Sequence, residues 1–192
     1  REYCPDCMCR KFCKTMRVRI NDKIILFRNP EARDAEQLLT LINSLVDENA
    51  QILANRKYTL KEEKDWLNDM LKGIKKNETH VIVAEHNDEI IGSVSISKGV
   101  FRQSHIGNLG VSVKRGYRGI GLGRKLMEMS IDIAKRDKKI KIIRLDVFKT
   151  NKIATSLYKK FGFKKIAVLP KSISWKNGYD DAIIMDYDLK RI

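Results

Sequence analysis

Cysteine is absent after residue 13, so thiol chemistry is excluded from nearly the whole chain. Any core or active site there works without a disulfide or a cysteine nucleophile. No apolar run approaches the roughly 20 residues that a membrane-spanning helix needs. The opening stretch is polar and cysteine-rich and carries no secretory-signal pattern, so the expectation is a cytoplasmic protein. No internal repeat and no linker long enough to divide domains is present, and 192 residues suit one domain with a real core.

Acidic residues are scarce in one region. Residues 111–165 hold 17 Lys/Arg against 4 Asp/Glu, and the other residues hold 22 against 20. The formal charge of +15 is therefore almost wholly local. Spread over the chain it would invite a nucleic-acid reading. Gathered around one glycine-rich turn, it suits a polyphosphate ligand as well. The basic segment is also poor in aromatics, which argues against stacking on single-stranded bases. The run Lys135–Lys141 reads as a solvated basic face.

All four cysteines lie at the start: Cys4, Cys7, Cys9 and Cys13. Their tight spacing leaves three states open. They bind one zinc ion, although zinc sites usually draw ligands from two separated pairs. They form two small disulfide loops in an oxidising setting. Or they stay unbonded.

Hydrophobic periodicity then orders the chain. Ile24–Phe27 reads as a short first strand. Ala35, Leu38, Leu39, Ile42, Leu45 and Val46 recur at helical spacing, which predicts an amphipathic helix over 34–49. Thr59 and Glu62 form a capping-box start for a second helix, to about Lys76. Residues 80–85 and 89–97 alternate as strands around the turn Asn87-Asp88, a hairpin signal. A strand at 106–113, a helix at 121–136, a strand at 140–148 and a helix at 151–161 follow. Strands at 163–169 and 181–189 close the chain, with a Lys/Ser/Trp/Gly/Tyr loop between them. Hairpin strands mixed with single crossover helices predict an α/β mixed, mostly antiparallel sheet of about seven strands, with helices on both faces.

The chemistry centres on the segment from Val111 to Arg124. A strand runs into Arg118-Gly119-Ile120-Gly121-Leu122-Gly123, and that turn opens a helix. Glycines let a ligand approach the backbone closely. A helix start presents unpaired N–H groups and a positive dipole end, which together hold phosphates. A nucleotide P-loop would end in Gly-Lys-Ser/Thr, which is missing here. A dinucleotide fold would place G-x-G-x-x-G directly after the strand; here the pattern is G-x-G-x-G after a longer gap.

Arg118-x-x-Gly121-x-Gly123 resembles the pyrophosphate-binding motif of the GCN5-related N-acetyltransferase (GNAT) superfamily. Asn151-Lys152-Ile153-Ala154-Thr155-Ser156-Leu157-Tyr158-Lys159-Lys160-Phe161-Gly162-Phe163 is similar to the family's N-x-x-A-x-x-L-Y-x-K-x-G-F segment. The likeness runs from about Ile24 to Leu189. It implies residues 21–192 as one N-acetyltransferase domain behind a cysteine-rich extension over 1–20. It implies an enzyme that moves an acetyl group from acetyl-CoA to a primary amine of a small molecule or amino acid. A protein N-terminus or lysine is the alternative acceptor. From a different class, a catalytically weak basic binding module on the same fold is the rival.

By that resemblance, the backbone of Val111, Ser112 and Val113 lies along the pantetheine arm, and Arg118, Gly119, Ile120, Gly121, Leu122, Gly123 and Arg124 surround the pyrophosphate. Asn151 and Ala154 sit near the arm's end. Tyr158 lies beside the sulfur as general acid, and the Val111 N–H faces the developing oxyanion. Many relatives carry a Glu as base where this chain has Asn108. Asn108 through a water, His105 and Asp146 remain open as bases. Acceptor specificity is expected in the loops 49–60 and 170–181, with Trp175 and Tyr179 as an apolar wall and Glu62, Asp180 and Asp181 attracting a cation. The expected partners are acetyl-CoA and an amine, with a homodimer open and neither nucleic acid nor membrane expected.

Overall fold

Alternating side chains set the sheet, and capping signals set the helices around it. The computed structural model describes residues 15–189. Cys4, Cys7, Cys9 and Cys13, with the zinc and disulfide readings placed on them, lie outside the described residues. Among the described residues, eight strands form one sheet in the order β1-β2-β3-β4-β5-β6-β8-β7. β1 (Thr15–Ile20) pairs antiparallel with β2 (Lys23–Arg28) through a turn in which Asn21 takes a φ of 53°. Ile24–Phe27, expected as the first strand, lies in β2, and β1 precedes it.

α1 (Ala35–Asp47) and α2 (Leu60–Lys75) follow. The capping box at the start of α2 is formed as expected. The Thr59 N–H donates to the Glu62 carboxylate at 2.8 Å, and the Glu62 N–H donates to the Thr59 hydroxyl at 3.3 Å. This satisfies two donors that a helix start leaves over. Asp34 closes a capping box over the short turn that precedes α1. Its carboxylate accepts from the Glu31 N–H at 2.7 Å and is held by Arg28, which also pairs with Glu85.

β3 (Thr79–His86) and β4 (Glu89–Lys98) make the hairpin, with Asn87 and Asp88 both at positive φ as a two-residue turn requires. β5 (Ile106–Val113), α3 (Leu122–Arg136), β6 (Ile142–Phe148) and α4 (Lys152–Lys160) come next. β7 (Lys164–Trp175) and β8 (Gly178–Asp188) close the chain. Here the expected loop 170–181 lies within a long hairpin, with a register break between Leu169 and Ile173 and Trp175 paired to Gly178. Pro170 is compatible with strand structure because β7 lies at the sheet's end, where a missing N–H is tolerated.

The two faces carry separate cores. α1 and α2 bury Leu38, Leu41 and Leu67 against Val83 and Ile90. α3 buries Leu122, Leu126 and Met127 against the other face, with Ile25, Phe27, Ile82 and Val94. Each fully buried side chain of this size contributes about 1.5–3 kcal/mol. The functional cleft opens where this sheet fails to stay closed.

Candidate functional site

Strands β5 and β6 are parallel neighbours, yet they pair at three positions only: Ile106 with Ile142, Gly107 with Ile143 and Asn108 with Arg144. β5 continues to Val113 and β6 to Phe148 without further pairing between them. The direction of the backbone groups follows from alternation along the strand. The His105 carbonyl accepts from the N–H groups of Lys141 and Ile142, on the β6 side. The Lys114 N–H donates to the Ile91 carbonyl at 2.8 Å, on the β4 side. Odd-numbered residues therefore turn their N–H and C=O groups toward β6. Leu109, Val111 and Val113 present theirs to the gap, as an extended ligand arm beside the strand would need. The Val113 carbonyl already accepts from Arg118 Nε at 3.0 Å, which leaves the Val113 N–H.

The gap leads to the start of α3. Gly121 caps that helix with φ 102° and ψ −4°, and no side chain caps it. The first intrahelical bond runs from the Lys125 N–H to the Gly121 carbonyl. The N–H groups of Leu122, Gly123 and Arg124 thus have no acceptor within the helix. They combine with the dipole end into an anion site. Arg124 lies with its guanidinium 5.9 Å from the Phe161 ring centre. Arg118 also lines the cleft, and its guanidinium pairs with Glu48 at the end of α1.

Across the gap stands α4. The Asn151 side-chain oxygen caps that helix by accepting from the Ala154 N–H at 3.0 Å. Tyr158 lies half-buried on the cleft wall, its ring 6.0 Å from that of Phe163. Burial pushes its hydroxyl pKa above the ordinary value, so it stays a proton donor across the physiological range.

These elements line one open cleft of about 2190 Å³. Of the expected cofactor residues, Ile120 and Leu122 do not line it, because Leu122 is fully buried in the core and Ile120 packs against it. The others do. Asn108 and His105 lie outside the cleft lining and are exposed; the Asn108 amide donates to the Ser97 carbonyl at 3.4 Å. Asp146 does line the cleft.

The acceptor end differs from expectation. Glu62 is taken by Arg56 and by its own helix cap. Asp181 is held by Lys149, and Asp180 accepts from the Thr150 hydroxyl and from the Asp181 N–H. Trp175 lines the cleft and packs edge-on against Phe148 at 5.1 Å, whereas Tyr179 is 70% exposed and lies off it. The loop after α1 reaches over the cleft, where Gln51 donates to the Thr150 hydroxyl at 2.7 Å. One residue was missed in the sequence. Glu63, on the inward face of α2, lines the cleft at 7% exposure. Its spacing from Leu60 and Leu67 was the available signal.

The profile of the Acetyltransferase (GNAT) family matches residues 42–163. The chain is 30% identical over 106 residues to an N-alpha-acetyltransferase of Sulfurisphaera tokodaii, a match covering 50% of this chain and 63% of that protein. The chain spans 42% to 63% of the length of the curated relatives it matches. Among solved structures, a GNAT-family acetyltransferase from Streptococcus pneumoniae superposes with a TM-score of 0.77 at 25% identity, covering 85% of this chain and 99% of that one. A Salmonella typhimurium structure solved with its cofactor acetyl-CoA shares the fold, with a TM-score of 0.76 at 23% identity, covering 88% and 95%.

Proposed function

The chain belongs to the acetyltransferase (GNAT) family, and on that footing we propose that it transfers an acetyl group from acetyl-CoA to a primary amine of a small molecule or amino acid. The observation that carries this reading is the divergence of β5 and β6 after Asn108, with a helix N-terminus at the end of the gap. The residues fit the donor substrate. Val111 and Val113 offer backbone groups to a pantetheine arm, and the N–H groups of Leu122, Gly123 and Arg124 suit a pyrophosphate. A thioester supplies an activated acetyl carbon.

The chain's own groups then divide the work. The Val111 N–H faces the place where the carbonyl oxygen gains charge, and such a donor contributes most where water is excluded. Tyr158 donates a proton to the departing sulfur, which its raised pKa permits. The Nδ2 donors of Asn151, left over after its oxygen caps α4, reach toward the arm's end.

A polypeptide N-terminus is a second reading. The Sulfurisphaera tokodaii relative is an N-alpha-acetyltransferase. Free-thiol release from acetyl-CoA, measured across amines, amino acids and short peptides, tests both. Release that depends on an amine supports the proposal, and the best acceptor class selects between the readings. No release with any acceptor, beside salt-sensitive DNA binding, would instead favour a basic binding module.

A further inference from the structure

We propose that Glu63 is the group that takes the proton from the incoming ammonium, and that the acceptor carries its amine on an apolar stem. The inference rests on the acetyl-transfer reading above and names a base on the cleft lining, where Asn108 and His105 do not lie.

Glu63 sits on the face of α2 that also buries Leu67. Among the described residues its carboxylate has no hydrogen-bond or ion-pair partner, although the chain holds 39 Lys and Arg. It is not sealed in, since it does not figure among the buried polar atoms that lack both solvent and partner. The carboxylate therefore reaches the cleft through a narrow exposure. An unpaired, largely buried carboxylate is costly unless a cation comes to it or it binds a proton. Burial accordingly pushes its pKa up, toward the range where a general base works best.

Among the described residues, no neighbouring element supplies that cation. α1 turns Leu38, Leu41 and Leu45 inward. The turn before α1 brings Asp34, and β3 brings Glu85, both held by Arg28. His80 of β3 pairs with Asp137, beyond the opposite face. On α2 itself Glu62 is tied to Arg56 and Asp65 is exposed. Among the described residues the charge is left for a ligand to bring.

The floor of the cleft leads from α2 to the transfer site. α2 packs on β3, and Val81 of β3 pairs with Ser95, which pairs with Gly110 of β5. All three line the cleft. Two strand spacings, about 10 Å in all, separate β3 from β5, and the gap lies just beyond β5. An amine held between them has Glu63 on one side and the thioester slot on the other. Leu41, Leu45, Trp66 and Met70 line the same end and suit an apolar stem.

The step balances. Glu63 takes one proton from the ammonium, leaving a neutral amine, which free amines at pH 7 mostly are not. Nitrogen then bonds to the acetyl carbon and the carbon–sulfur bond breaks. Tyr158 protonates the sulfur and recovers a proton from the new amide nitrogen. Glu63 returns its proton to solvent.

The test compares wild type with Glu63→Gln. Isothermal titration should give the same CoA affinity for both. With one good amine acceptor, kcat/KM of E63Q should fall about 100-fold at pH 7. That deficit should narrow at least about tenfold by pH 9.5, where a much larger fraction of the amine is neutral unaided. A second readout needs no turnover. The raised pKa means the wild-type carboxylate is tolerated below its ordinary titration range and destabilises as pH rises through its folded value. E63Q should therefore melt higher than wild type at pH 8, with no difference near pH 4. An E63Q enzyme equal to wild type at every pH overturns the proposal while leaving acetyl transfer standing. So does a deficit constant with pH, which marks a structural role. Absence of amine-dependent thiol release by wild type overturns the acetyl-transfer reading and this proposal with it.

Discussion

Gly121 and Gly123 stand two residues apart in the same motif, and the structure assigns them opposite effects on stability. Gly121 caps α3 at φ 102°, a region that L side chains rarely adopt. Alanine there costs about 1–3 kcal/mol of stability. For a chain of this size each kcal/mol moves Tm by about 2–4 °C, so Gly121→Ala should melt about 2–12 °C lower. The nearest atom to an added Cβ is Ile20 Cγ2 at 3.8 Å, so the methyl enters open space at the helix entrance. A phosphate approaching the N–H groups of α3 meets it there. Loss of one charge-assisted hydrogen bond, about 1.5–3 kcal/mol, weakens CoA binding about 10- to 150-fold. Gly123 is different, because it is helical and its Cβ would meet Leu157 and Val113 at 3.8 and 3.9 Å, ordinary contact distances. Gly123→Ala should raise Tm by about 1–4 °C through lost unfolded-state freedom, while its methyl, set between Val113 and Leu157 on the cleft wall, should weaken CoA binding as well. Calorimetric titration of CoA below both melting points, with thermal scans, separates the two. A G121A protein that stays folded and binds CoA like wild type refutes the phosphate-site reasoning.

Other expectations follow from named contacts. Tyr158→Phe should lower kcat about 100-fold with CoA affinity unchanged; unchanged kcat would make Tyr158 a packing residue only. Asp137→Asn should cost about 3 kcal/mol, because it breaks a buried pair with Lys98 and His80. A thermal scan checks it, and a Tm within error of wild type contradicts it. The same cluster sets an acid limit. Burial pushes the Asp137 pKa up, but the hydrogen bonds from Lys98 and His80 outweigh that and hold it at about 2, below its ordinary 3.8. Its contribution is present above pH 3.8 and is lost as pH falls toward 2. In D137N, the drop in stability over that window should be smaller than in wild type.

The parts legible in the sequence were those with local physical causes. The Thr59–Glu62 capping box, the Asn87-Asp88 turn and the strand leading into Gly121 all depend on neighbours in the chain. β1 was legible as well, since Met16, Val18 and Ile20 alternate with polar residues before a turn at Asn21. Its shortness and the two arginines on its outer face hid it. The β7–β8 hairpin was misread because Pro170 and a run of polar residues look like a loop. Edge position, which no local pattern reveals, makes them a strand. Glu63 shows the same limit at the site. In the sequence it is one acid within a charged run, and it becomes a buried, unpartnered carboxylate only when α2 docks on the sheet. Conversely Glu62, Asp180 and Asp181 looked available until the structure supplied their partners.

The central claim is that the β5–β6 gap and the start of α3 form the CoA site. A crystal structure of the complex with CoA tests it most directly. The account predicts the pantetheine arm beside Val111 and Val113, the pyrophosphate on the N–H groups of Leu122, Gly123 and Arg124, and the thiol near Tyr158. CoA bound elsewhere, or a gap closed by continued β5–β6 pairing, would contradict it.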